Sequence, residues 1–238
     1  MHSFTFRGRN SSEFGLKIQD FDLYSAPSYK VIEQYVPGRN GALLLSEQYY
    51  ENRKLTYDVW AKVASPSMLP EKLRKIRSWL LESSGTYFPL EDSYDPEVVF
   101  WAAVSSGVDF TITNQRIAAT SITFTTMPFQ YLRTGLSLID LQNGETLVNS
   151  TTFEAFPYFK IWGNGTIHLT VNNQTYTFLG VQNFIEMDSE LMNVFQGTTN
   201  ANHQKQGDGF PVLRPGDNGI QWSGAVSRVQ LKARWRVL

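Results

Sequence analysis

KLTYDVWAKVASPSMLPEKLRKIRSWLLESSG, residues 54–85, changes period halfway along. From Lys54 to Val63, Leu55, Tyr57, Val59 and Ala61 alternate with Lys54, Thr56, Asp58 and Trp60, the two-residue repeat of a strand with one inward face. Further on, Leu69, Leu73, Ile76 and Leu80 recur at steps of four, three and four, while Glu71, Lys72, Lys75 and Arg77 occupy the other side. That is the repeat of an amphipathic helix. Pro70 is admissible only in its first turn, Ser67 is placed to cap it and Gly85 to end it, so a helix is expected at about residues 69–83. No comparable helical period occurs elsewhere, and the chain is expected to be mainly β.

Strand patterns extend in both directions from this point. Upstream, FTFRGRNSSEFGLKI reads as a short strand, a polar turn and a second strand around Leu16–Ile18. YKVIEQYV and ALLLSEQYY follow, joined by Pro37-Gly38-Arg39-Asn40-Gly41. Pro37 presets φ and the two glycines accept positive φ, so this segment is expected to turn sharply between paired strands. Downstream, TYFPL, EVVFWAAV, VDFTI and IAATSITFTTMPFQYL read as further strands. Pattern then gives way to the polar, turn-rich SLIDLQNGETLVNSTTFEA, which places a domain boundary around Arg133–Gly135 and divides the chain into residues 1–133 and 134–238. The second block has hairpin turns at Gly163-Asn164-Gly165 and Asn172-Asn173. It closes on Val229, Leu231, Ala233, Trp235 and Val237 alternating with Arg228, Gln230, Lys232, Arg234 and Arg236, a strand with one apolar and one mainly cationic face. Short strands at regular spacing predict a β-sandwich.

Composition narrows the function. The 238 residues are 42% hydrophobic and 14% aromatic, a balance that suits a strand-rich core. A net charge of −1 gives no global excess of cations to hold nucleic acid. Without cysteine there is neither a disulfide framework nor a thiol nucleophile. Neither a signal peptide nor an apolar run of membrane-spanning length is evident. The cation-rich helix flank Lys72, Arg74, Lys75 and Arg77 reads as a solvated face.

Candidates for chemistry are few. There is no Gly-x-Ser-x-Gly and no phosphate-cradling Gly-Lys-Ser/Thr loop, and His2, His168 and His203 lack ligand-spaced partners. Glu186, Asp188 and Glu190 are alternate residues of one expected strand, about 6.5 Å apart. That spacing lies within reach of an inverting glycosidase pair, roughly 6.5–9.5 Å. With Ile185 and Met187 inward, however, they read as a solvated face. Glu91, Asp92, Asp95 and Glu97 lack the glycine and spacing of a calcium loop. Tyr158, Trp162, Tyr176 and Trp222 are the residues a sugar-stacking platform would use, although such aromatics are commonly core or cross-strand pairs. No catalytic, metal or cofactor site is expected.

Several segments in order, FTFRGRNSSEFGL, VPGRNGALLL, YYENRKLTYDV, RSWLLESSG and MPFQYL, resemble the N-terminal domain of siphophage distal tail proteins. PYFKIWGNGTIHLTVNN, IEMDSELMNVF and FPVLRPGDNGIQWSG resemble the C-terminal domain of the same family. The resemblance implies a ring-forming N-terminal β domain with one helix, followed by a galectin-like β-sandwich. It implies a structural protein without enzymatic activity, a homo-hexameric ring at the distal end of the virion's tail, made in the cytoplasm of the bacterial host. The expected partners are the tail tube protein, the tail-associated lysin or spike, and receptor-binding proteins or side fibres through the C-terminal domain. DNA would pass through the centre without being specifically bound. By the same analogy Arg39, Asn40, Arg53, Lys54 and Tyr57 are assigned to the ring interface or lumen. The C-terminal segment carries no convincing copy of the galectin sugar-binding pattern, and the chain has no room for an inserted carbohydrate-binding module. A carbohydrate-binding adhesin is the alternative reading.

Overall fold

The computed structural model describes residues 2–82, 85–104 and 106–238, and divides into a unit ending at Gln130, to which Leu238 returns, and a second unit, Tyr131–Val237. The first contains β1 (Phe4–Phe6), β2 (Arg9–Asn10), β3 (Leu16–Asp22), β4 (Tyr29–Tyr35), β5 (Ala42–Tyr50), β6 (Arg53–Lys62), helix α1 (Leu69–Leu81), β7 (Phe88–Asp92), β8 (Val98–Ala103), β9 (Thr111–Asn114) and most of β10 (Ile117–Leu132). Its sheet runs β2-β1-β7-β8-β10-β6-β3, with β9 also on β10. The expected alternation in β6 is observed: Leu55, Tyr57, Val59 and Ala61 are all buried.

Helix α1 buries Leu69, Leu73, Ile76 and Leu80, together with Trp79, which the spacing rule had not included. Trp79 lies parallel to Phe4 at 5.8 Å and Phe14 at 4.1 Å, and its indole N–H donates to the Phe6 carbonyl at 3.2 Å. This stack ties the helix to β1. Ser67 is not the cap. It lies inside a 3-10 turn, Pro66–Met68, with its hydroxyl 3.0 Å from that of Ser65, and α1 begins without a side-chain cap. The helix ends at Leu81, and Ser83, where it was expected to finish, lies outside the described residues.

The second unit contains α2 (Arg133–Leu136), β11 (Ile139–Asp140), β12 (Glu145–Asn149), β13 (Tyr158–Val171), β14 (Gln174–Val181), β15 (Phe184–Asp188), β16 (Asn193–Gln196), β17 (Thr199–Asn200), β18 (Lys205–Gln206), β19 (Gly216–Lys232) and β20 (Arg236–Val237). The polar stretch expected to separate domains thus contributes strands, with β11 and β12 pairing with β19 and Leu141 buried in the core. Long strands β13 and β19 pair along their length, with register shifts beside Gly163 and Ile167. Before the shifts β13 also pairs with β15, and after them with β14. Side chains from both halves, including Phe159 and Ile161 on one and Leu169 and Phe178 on the other, form a single buried cluster. The halves therefore face each other as a sandwich whose central strands cross from one layer to the other, as bulges permit.

Glycine allows that crossing. A Cβ on Gly163 would lie 2.4 Å from the Ala225 carbonyl oxygen, and one on Gly224, where φ is +105°, 2.4 Å from that of Thr166. The closing alternation holds for Val229, Leu231 and Ala233 and then breaks, because Arg234 adopts φ +56°. Trp235 accepts a hydrogen bond from the Leu132 N–H at 2.8 Å, and β20 groups with the second unit.

Candidate assembly surfaces

Among the described residues, strands β4 and β5 pair only with each other. Their turn has the expected geometry, with Gly38 and Gly41 both at φ +80° and the Arg39 N–H donating to the Val36 carbonyl at 3.1 Å. Opposed residues share a face, so Ile32 and Leu45 lie together on one side, with Glu33 beside Leu44 and Tyr35 beside Ala42 on the other. Both faces are uncovered: Leu44 is 66% exposed on one and Leu45 48% on the other. A two-stranded ribbon in water is marginally stable at best, and apolar surface of this kind marks an interaction site. At its base Tyr50 contacts Tyr29 and Phe129, and a register shift with Gln48 at φ +60° forms a bulge.

The residues assigned from sequence to an interface or lumen fall into two groups. Arg39 and Asn40 lie at the exposed ribbon tip, and Lys54 points outward from β6. Tyr57 and Arg53 do not belong with them. Tyr57 is fully buried and its hydroxyl donates to Asp92 at 2.8 Å; burial and then the Asp92 charge push its pKa up, so it remains a protonated donor. Arg53 is 5% exposed, lies over the Phe100 ring and donates to the Ser25 carbonyl at 3.1 Å. Burial lowers its pKa, against the opposing charge of Asp22. Arg53 starts the buried alternation of β6 that Leu55 continues.

In the second unit Glu186 and Asp188 do not form a solvated face, while Glu190, beyond the end of β15, is exposed. Glu186 and Asp188 are buried. Glu186 accepts from the Gly197 N–H at 2.8 Å and the Tyr158 hydroxyl at 2.5 Å, and lies 3.5 Å from the Lys160 ammonium. Asp188 accepts from both Arg234 nitrogens at 2.6 and 2.7 Å. Burial pushes the Asp188 carboxyl up, but the Arg234 hydrogen bonds and the N–H groups of Leu191 and Glu190 outweigh it and hold it below the usual range. A buried acid kept ionised by an arginine anchors structure and is poorly suited to donating a proton.

The sugar platform also fails to assemble. Tyr176 is buried, which pushes its hydroxyl up to about 12, and Trp222 packs against the core. Lys160 and Arg228 lie over Trp162, and Lys232 over Tyr158. Those cations occupy positions that a stacking sugar would require. Among the described residues no cluster of His, Asp and Glu is arranged to hold a metal ion, and no helix is long and apolar enough to cross a membrane.

The chain thus comprises two β units and a ribbon whose apolar side chains are exposed. Residues 9–126, most of the first unit, match the phage tail protein RIFT-related domain and belong to that family, so the chain is a phage tail component. Its fold is that of the distal tail hub proteins: it superposes on the SPP1 Dit protein, a hub of the adsorption apparatus in phages infecting Gram-positive hosts, with a TM-score of 0.77 at 11% identity over all of both chains. Chains from the phage p2 baseplate in its activated conformation give TM-scores of 0.57 with strontium and 0.55 with calcium, each at 10% identity over 97% of both chains. No curated protein sequence matches.

Proposed function

We propose that this chain is a siphophage distal tail protein whose first unit, residues 1–133 by the sequence boundary, closes into a homo-hexameric ring at the far end of the tail. The ring joins the tail tube to the tail-associated lysin or spike and leaves a channel through which DNA passes without specific binding. The second unit, taken as galectin-like, projects to receptor-binding proteins or side fibres. The observation that carries this reading is the uncovered β4–β5 ribbon, with apolar side chains on both faces and, among the described residues, both outer strand edges unpaired. Arg39, Asn40 and Lys54 belong to the contact or the lumen. The adhesin alternative has less support, because its aromatic residues are buried or covered by cations.

Light-scattering mass across a concentration series, with negative-stain images of the same fractions, tests the proposal. A six-fold ring with an open centre is expected, and removal of residues 30–49 is expected to give a folded monomer. A wild-type chain that stays monomeric throughout, or a ring that survives loss of the ribbon, counts against it.

A further inference from the structure

The first unit carries opposite charge at the two ends of β3 and β6. These strands are antiparallel, with Leu16 opposite Ala61 at one end and Asp22 opposite Thr56 at the other, roughly 20 Å along the strands. At the first end Arg9, Lys62, Lys72 and Lys75 rim a hollow with Phe14 and Met68 in its lining. Phe14 is fixed between Trp79 at 4.1 Å and the Arg9 guanidinium at 4.3 Å, and Met68 is exposed. Glu71 offsets Lys75 and Glu13 offsets Arg9. Among the described residues neither Lys62 nor Lys72 is in an ion pair; the Lys72 ammonium donates to the Lys62 carbonyl at 3.0 Å.

At the second end an aromatic knob stands in acidic surroundings. Tyr24 is 69% exposed and Tyr94 62%. Phe21 packs on Tyr94 at 5.2 Å and on His2 at 4.2 Å. Asp92, buried beneath, holds the turn through the Tyr94 N–H at 2.6 Å. Asp95 lies close enough to Tyr24 to act on its hydroxyl, and Asp20, Asp22 and Glu97 are exposed around the same end. An exposed apolar knob with acidic flanks thus matches a cation-rimmed hollow with an apolar lining, on a different surface of the same unit.

We infer that the Tyr24–Tyr94 knob of one copy docks in the Arg9–Lys62–Lys72–Lys75 hollow of the next, so that the partner at each contact is a second copy of this chain. The inference rests on the assembly reading and names the two surfaces that meet. Such a contact is heterologous: it closes into a ring when the rotation per copy allows and otherwise propagates as a filament. Opposite charge across it steers encounter and fixes register.

Charge reversal tests the contact. Lys62→Glu with Lys75→Glu, both exposed positions, reverses the hollow; Asp95→Lys with Glu97→Lys reverses the knob. Each pair is expected to weaken self-association at least about a hundredfold, because like charges then face each other. An equimolar mixture of the two variants pairs an unaltered knob with an unaltered hollow and a reversed knob with a reversed hollow, so it should regain assembly, as should a chain carrying all four substitutions. Sedimentation velocity reads every species. If the wild type assembles and the reversals leave it unchanged, the contact lies elsewhere and the hub reading stands. A mixture that fails to assemble, or a four-site chain that does not recover, also overturns the pairing. A wild type that is monomeric at every concentration removes self-association, and this contact with it.

Discussion

Replacing Arg234 by alanine should destabilise the second unit and change how it responds to acid. Arg234 donates to Asp188 at 2.6 and 2.7 Å, and the Asp188 side chain is 5% exposed. The substitution leaves that carboxylate with only the Glu190 and Leu191 N–H groups, at 3.0 and 3.1 Å. Breaking one side of a buried pair costs about 3–5 kcal/mol. The folded-state pKa of Asp188 is depressed, so the pair's contribution is fully present above the unfolded value of about 3.9 and is lost as pH falls through the lower folded value. Wild-type stability should therefore decline below about pH 4. Without Arg234, burial favours the protonated acid, and the gap between variant and wild type should narrow in the same range. Urea denaturation followed by fluorescence of Trp162, Trp222 and Trp235 measures both effects. A loss below about 1 kcal/mol near neutrality, the size of an exposed ion pair, would refute the reasoning, as would a gap independent of pH.

Trp79→Ala, which removes the ring between Phe4 and Phe14, should cost the first unit about 3–5 kcal/mol in chemical denaturation. Gly163→Ala places a Cβ 2.4 Å from the Ala225 oxygen and should lower the urea midpoint of the second unit by an equivalent of about 1–3 kcal/mol, with an unchanged slope. Tyr57→Phe removes a buried donor to Asp92 and should cost about 1.5–3 kcal/mol, measured as a shift in the unfolding midpoint of the first unit.

Much of the architecture is written in side-chain period. Leu55 to Ala61 and Leu69 to Leu80 declare strand and helix because each repeat has one burial solution. Period does not reveal what lies against an outward face. Glu186 and Asp188 looked solvated by alternation, but Tyr158, Gly197 and Arg234 cover them, and the positive φ that turns Arg234 toward Asp188 leaves no mark on an arginine in sequence. The ribbon misleads in the opposite way: Ile32, Leu44 and Leu45 read like a buried strand pair, and only the fold shows that, among the described residues, no other strand pairs with them. Arg53 and Tyr57 were separated from Arg39 and Asn40 by burial, which residue type does not encode.

Strands β13 and β19 each belong to both layers of the second unit, crossing at Gly163 and Gly224. A pull on either layer is consequently transmitted to the other along covalent backbone and not merely through side chains sliding past one another. Neither layer can peel away without taking the central strands of its counterpart. The unit should rupture under load in a single event, with no half-opened form to accumulate, a mechanical property suited to a part fixed in a phage tail.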